Sequence, residues 1–153
     1  MKKIIIGSDH AGFRLKEKLK PYLASKGFKI EDIGAFSTER CDYPLTAFEL
    51  ARNISIGKYK SGILICKSGI GNSIVANKLA NVRAALCYNA LAARFSREHN
   101  DANVLVLGAA FVNKGKAKRI ISTWFATPFL GGRHRRRLNQ IKRIEKRICR
   151  HNT

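Results

Sequence analysis

Three short stretches of the chain combine side chains that move protons or bind anions with glycines that let a backbone approach a ligand. Ser8-Asp9-His10 follows an apolar run. Cys66-Lys67-Ser68-Gly69-Ile70-Gly71-Asn72 follows another. His99-Asn100-Asp101 stands just before a third. A glycine-bearing turn between a strand and a helix leaves free backbone N–H groups at a positive dipole end, a setting that binds phosphate or stabilises an oxyanion. Cys66 lies at the mouth of such a turn, where a helix N-terminus can lower a thiol pKa. Cys66 therefore reads either as a reactive thiol or as a small buried residue closing a strand. His99, flanked by Arg97, Glu98, Asn100 and Asp101, reads as a proton carrier or as a solvent-facing side chain, and His10 has the same two readings. A fourth stretch, Gly131-Gly132-Arg133-His134-Arg135-Arg136-Arg137, places basic side chains at a helix start. There they oppose the macrodipole unless an anion compensates, which favours a phosphate site. The turn after Cys66 lacks the GxxxxGK[ST] spacing of a P-loop, and no GxGxxG follows the first strand.

These residues need a scaffold, and the pattern of apolar runs supplies one. Short strands are expected at Lys3–Gly7, Phe28–Ile33, Gly62–Cys66, Val82–Tyr88 and Val104–Leu107. Helices are expected at Phe13–Lys26, Pro44–Ile56, Gly69–Leu79, Ala90–Arg97 and Lys114–Phe125. Strands that are apolar without alternation are buried on both faces, as in a parallel sheet. The expectation is an α/β chain folded as one three-layer α/β/α domain over residues 1–153. Ligands in such folds bind beyond the carboxyl ends of the strands.

The chain has 153 residues and a formal net charge of +20, with 45% apolar residues. Residues 131–153 hold 9 of the 30 Lys and Arg but 1 of the 10 acidic side chains. Leu138, Ile141, Ile144, Ile148 and Cys149 recur there at helical spacing, so one face of this basic segment should be buried, on its own domain or on a partner chain. His151 is expected to fray at the end of the tail. No run of about 18 apolar residues offers a membrane span. The four cysteines, Cys41, Cys66, Cys87 and Cys149, have neither CxxC nor metal-ligand spacing. No metal site is expected, Cys41, Cys87 and Cys149 read as structural, and the cytoplasm is the expected compartment. The charge points to anionic partners.

Six segments occur together in order: Gly7-Ser8-Asp9-His10-Ala11-Gly12, Asp42-Tyr43-Pro44, Cys66-x-Ser68-Gly69-x-Gly71, Ala76-Asn77-Lys78, His99-Asn100-Asp101-x-Asn103-Val104-Leu105 and Gly131-Gly132-Arg133-His134-x-x-Arg137. Through them the chain resembles the family of type B ribose-5-phosphate isomerases, shared with galactose- and allose-6-phosphate isomerases, from about residue 3 to residue 147. The resemblance implies a Rossmann-like domain with a five-stranded parallel sheet and no metal or organic cofactor. It implies a homodimer, possibly a tetramer, with active sites between subunits and the C-terminal helix used in dimer packing.

The resemblance also implies roles. His99 would open the sugar ring. Cys66 would be the base that leads to a cis-enediolate, stabilised by the N–H groups of Gly69, Ile70 and Gly71. Ser68 would pass a proton between oxygens, and Asp9 would fix sugar hydroxyls. His10, Arg133 and Arg137 would hold the phosphate, and Tyr43 and Asn100 are carried as substrate contacts. Lys67 stands where the family usually has glycine, so it would be strained if that position needs a positive φ. Ala110 stands where many members have a phosphate-binding arginine, and Asn72 where some have a glutamate base. The expected function is interconversion of ribose 5-phosphate and ribulose 5-phosphate. The alternatives are an isomerase for allose or galactose 6-phosphate and, less favoured for want of any nucleic-acid-binding signature, a basic nucleic-acid-binding protein.

Overall fold

The computed structural model describes residues 2–151; of Arg150 and His151 it describes the backbone alone. Eleven elements alternate along the chain: β1 Lys2–Ser8, α1 His10–Ser25, β2 Phe28–Asp32, α2 Tyr43–Ser55, β3 Gly62–Cys66, α3 Ile70–Ala76, β4 Ala84–Leu86, α4 Ala90–Glu98, β5 Val104–Gly108, α5 Lys114–Ala126 and α6 Arg133–His151. His151 closes α6, and the fraying expected of its side chain falls outside the described residues.

The strands form one parallel sheet in the order β2-β1-β3-β5-β4. β3 and β5 are buried along their whole length, as their unbroken apolar runs require. The edge strand β2 alternates between half-buried and exposed residues. On one face Ile4, Ile6, Ile63, Ile65, Leu105 and Leu107 pack beneath α1, α4 and α5. On the other, Ile5, Leu64, Val104 and Val106 pack beneath α2 and α3. The three layers expected from the sequence are present.

Two elements are shorter than expected. α3 stops at Ala76 because Asn77 turns its side-chain amide onto β4, with Nδ2 donating to Ala84 O and Oδ1 accepting from Ala84 N–H. β4 keeps three residues because it is an edge strand paired to β5 alone, and Val82 N–H is drawn back to Leu79 O. Conversely, α1 starts at His10, three residues earlier than expected. Asp9 is its N-cap, accepting from Gly12 N–H at 2.9 Å.

From β1 the chain moves outward to β2, and from β3 it moves the opposite way to β4. The carboxyl ends of the adjacent strands β1 and β3 therefore bound the crevice where such sheets bind ligands. Gly12 brings α1 close to this crevice. A Cβ at Gly12 would fall inside contact distance of the Ile65 carbonyl, which is backbone and cannot swing away. Gly12→Ala is expected to cost about 1–3 kcal/mol. That is a Tm lower by roughly 3–10 °C in a thermal scan at fixed protein concentration.

Lys16 is fully buried on α1, its ammonium held by Asp32 and by Ala35 O. Lys20 and Gly34 N–H also donate to Asp32. Burial alone would raise the pKa of that carboxyl, but the bonds from Lys16, Lys20 and Gly34 outweigh it, and the net shift is downward. This ion cluster anchors the segment after β2, which continues to Cys41.

Candidate active site

The carboxyl edge of the sheet carries the first group of expected residues. Asp9 is buried; one carboxylate oxygen caps α1, and the other accepts no hydrogen bond among the described residues. His10, at the first turn of α1, lies with Nδ1 3.2 Å from Cys41 N and 3.0 Å from Cys41 O. Its Nε2 has no partner among the described residues. Tyr43 opens α2 and lays its ring against Gly71, where any Cβ would overlap the phenol.

Cys66 ends β3 and is 4% exposed. Its Sγ accepts from Gly69 N–H at 3.1 Å. Burial pushes the thiol pKa up, and the Asp9 carboxylate adds to that, while backbone N–H groups of Asn72, Gly69 and Ser68 pull it down. The net direction is upward. The lowering expected from the helix start is outweighed by desolvation, and α3 is one of the shorter helices in the chain. Two of the three N–H groups expected to be free have local acceptors: Gly69 N–H is given to Cys66 Sγ, and Ile70 N–H to Ser68 Oγ at 3.2 Å. Only Gly71 N–H remains without one among the described residues.

Gly69 takes φ of +82°, so the turn needs glycine there. Lys67 does not adopt a positive φ, and its exposed side chain carries none of the strain that replacing glycine could have brought. The turn is braced by the chain after β5 and by Tyr88 after β4. Ala109 N–H donates to Cys66 O at 2.8 Å, Ala110 N–H to Lys67 O at 2.9 Å, and Tyr88 OH to Ser68 O at 3.0 Å. Asn72 is 1% exposed with Nδ2 unpartnered, and Ser8 Oγ at the end of β1 is likewise orphaned. Sequence reasoning treated Asn72 only as the absence of a glutamate and missed both orphans. No cluster of residues suited to a metal ion occurs among the described residues.

The second group lies at the opposite edge. Each helix returns the chain antiparallel to its strand, so the C-terminus of α4, with His99 as its cap, sits at the amino edge of the sheet beside the start of β5. α5 ends at the same edge, and Leu130 N–H donates to Glu98 O at 3.1 Å, which ties the start of α6 to the end of α4. This gathers His99, Asn100, His134, Arg133 and Arg137, the arginines and Asn100 exposed. His99 stacks on Phe95 (centroids 4.9 Å apart, 14° between planes) and on His134 (4.4 Å, 12°). β5 pairs Gly108 with Cys66, and its five residues span about 13 Å. The chain therefore holds two separate groups of candidate residues and does not bring Cys66 and His99 together.

Apolar surface is left open where a second surface could join them. Leu45 and Phe48 on α2 and Ile70 and Ile74 on α3, the helix that follows Cys66, are all exposed. On α6, Leu138 is buried, but Ile141, Ile144 and Ile148 are 42%, 53% and 57% exposed. The apolar stripe read from the sequence is real, and most of it is not covered by the described residues.

Comparison with known proteins places this geometry. Residues 4–141 match the family model described as Ribose/Galactose Isomerase. Ribose-5-phosphate isomerase B of Escherichia coli (strain K12) is 44% identical over 147 residues, covering 96% of this chain and 99% of that protein. The structure of Clostridium thermocellum ribose-5-phosphate isomerase B superposes with a TM-score of 0.93 at 44% identity, over 95% of this chain and 99% of that one. Ribose-5-phosphate isomerase B from Mycoplasma genitalium, solved with bound ribulose-5-phosphate, gives a TM-score of 0.90 at 38% identity over 94% and 96% of the two chains. Matched in fold and over nearly its whole length, the chain belongs to the ribose/galactose isomerase family.

Proposed function

We propose that the protein is an aldose–ketose isomerase that interconverts ribose 5-phosphate and ribulose 5-phosphate, with Cys66 as the base. The observation that carries this reading is the Cys66 thiol at the mouth of β3, ringed by backbone N–H groups that would receive it as a thiolate. His99, contributed by a second chain, takes the proton of the anomeric hydroxyl and passes it to the ring oxygen as the carbon–oxygen bond of the ring breaks, and the sugar opens. Cys66 then takes the proton from the carbon beside the carbonyl, and the electron pair moves into a cis-enediolate. As the thiol proton leaves for the neighbouring carbon, Ser68 passes a proton from one enediolate oxygen to the other. Gly71 N–H, and Gly69 and Ile70 N–H once their local acceptors are displaced, face the developing oxyanion. The free oxygen of Asp9 accepts from sugar hydroxyls. His10 Nε2, Arg133 and Arg137 hold the phosphate, and Tyr43 and Asn100 line the substrate.

This assembly requires a homodimer, and the open faces of α2, α3 and α6 suit one. The chain forms a single isomerase domain, with 131–153 as its basic arm. All four cysteines are free, which suits a reducing cytoplasm. No described helix is long and apolar enough to cross a membrane. The test is a side-by-side rate measurement on ribose, allose and galactose phosphates. The pentose is expected to be the fastest substrate; a six-carbon phosphate turned over faster would overturn the assignment.

A further inference from the structure

A histidine that moves protons is usually oriented by a hydrogen bond from its second ring nitrogen to a carboxylate or carbonyl. Here neither ring nitrogen of His99 has such a partner among the described residues. Its ring is instead clamped face to face between Phe95 and His134 in a nearly parallel three-ring stack. Phe95 is 40% exposed and sits on the same helix one turn back. His134 is 7% exposed, its backbone N–H donates to Gly131 O at 3.0 Å, and it is seated one turn before the buried Leu138. It is therefore the firmer of the two plates.

We infer that His134 is a positioning residue: its ring holds the plane of His99 so that the imidazole edge, with both nitrogens, points toward the sugar ring that it opens. This rests on the isomerase reading above. The contact is made by ring faces, so it needs an aromatic surface and no proton. Burial, with His99, Arg133 and Arg137 nearby, pushes the His134 pKa down, opposed only by Glu98. A ring kept neutral adds no charge beside the imidazolium that forms on His99.

The two stages of the reaction separate this role from a merely structural one. A ketopentose 5-phosphate has no free hydroxyl at the position that would close a five-membered ring, so it reaches Cys66 already open. Proton exchange from the ketose into deuterated water tests enolisation without ring opening, whereas aldose-to-ketose turnover needs both. His134→Ala is expected to lower kcat for ribose 5-phosphate by roughly 10–100-fold, with KM and the exchange rate of ribulose 5-phosphate unchanged. His134→Phe, which restores a ring face and no proton, is expected to recover most of the lost turnover. Three results would overturn the role: wild-type turnover in His134→Ala, turnover and exchange falling together, or His134→Phe as impaired as His134→Ala. Wild-type protein that performs neither turnover nor exchange removes the isomerase reading itself, and the role with it.

Discussion

Replacing Cys66 by alanine is expected to lower isomerase turnover by about 10²–10⁴-fold, the range of a lost general base. The fold should survive. The thiol is small; its loss takes the acceptor from Gly69 N–H and the sulfur faced by the Asn72 and Ser68 N–H groups, at a cost of about 1–3 kcal/mol. Circular dichroism and Tm close to wild type would separate lost chemistry from lost structure. The pH profile gives a second signature. Burial holds the Cys66 pKa above its ordinary value, so the thiolate is the minor form at neutral pH. With Cys66 as the base only the thiolate would react, so kcat/KM is expected to rise tenfold per pH unit until pH reaches the thiol pKa. An alkaline limb that persists in Cys66→Ala would assign the base elsewhere, as would retained turnover.

Removing Arg133 and Arg137 together is expected to cost roughly 10²–10⁴-fold in kcat/KM. Each charge-assisted bond to phosphate contributes about 1.5–3 kcal/mol, and each 1.4 kcal/mol is tenfold. The phosphate does not change during the reaction, so the loss should fall mainly on KM. Both side chains are exposed, so stability should move by no more than about 0.5 kcal/mol. Arg135 and Arg136 are the controls. They carry the same charge on the same turn of α6, yet Arg135 lies over the Phe129 ring. Their alanine variants are expected to keep the wild-type KM. Equal losses in both pairs would mean that net charge, and no specific contact, gathers the substrate.

Those controls bear on the charge of +20. Part of the surplus has a local explanation. α1, α2, α4 and α5 all end at the amino edge of the sheet, and their carbonyl ends are negative. Arg52 and Arg97 occupy the last turns of α2 and α4, where a cation is favourable. Arg97 also bonds Asp101 at 2.8 Å and Ala102 O at 2.6 Å. The phosphate contacts proposed for Arg133 and Arg137 would use only a small part of the total.

The order of elements was legible because β3 and β5 are unbroken apolar runs with glycine turns beside them. The division of the site was also legible in principle. A residue that ends one parallel strand and a residue that precedes its neighbour must lie at opposite edges, and Cys66 and His99 do. The clamp on His99 was not legible, because it depends on how the chain returns from α5 to α6 and so puts His134 beside a residue 35 positions earlier. Lys16 was hidden for a different reason. It lies between Leu15 and Leu19 on the apolar face of α1, and nothing local shows that Asp32, at the end of the next element, will neutralise it. The thiol pKa was misjudged because helix position is local, whereas the desolvation that outweighs it comes from the whole crevice.

The central claim is that one active site is made from two chains. The direct test co-expresses Cys66→Ala and His99→Asn chains carrying different tags and isolates the mixed dimer through both. Each parent homodimer lacks one group at every site and should be nearly inactive. The mixed dimer holds one site with both groups and one with neither, so it should turn over ribose 5-phosphate at about half the wild-type rate. A mixed dimer no more active than its parents, or failure to recover any mixed species, would contradict the account.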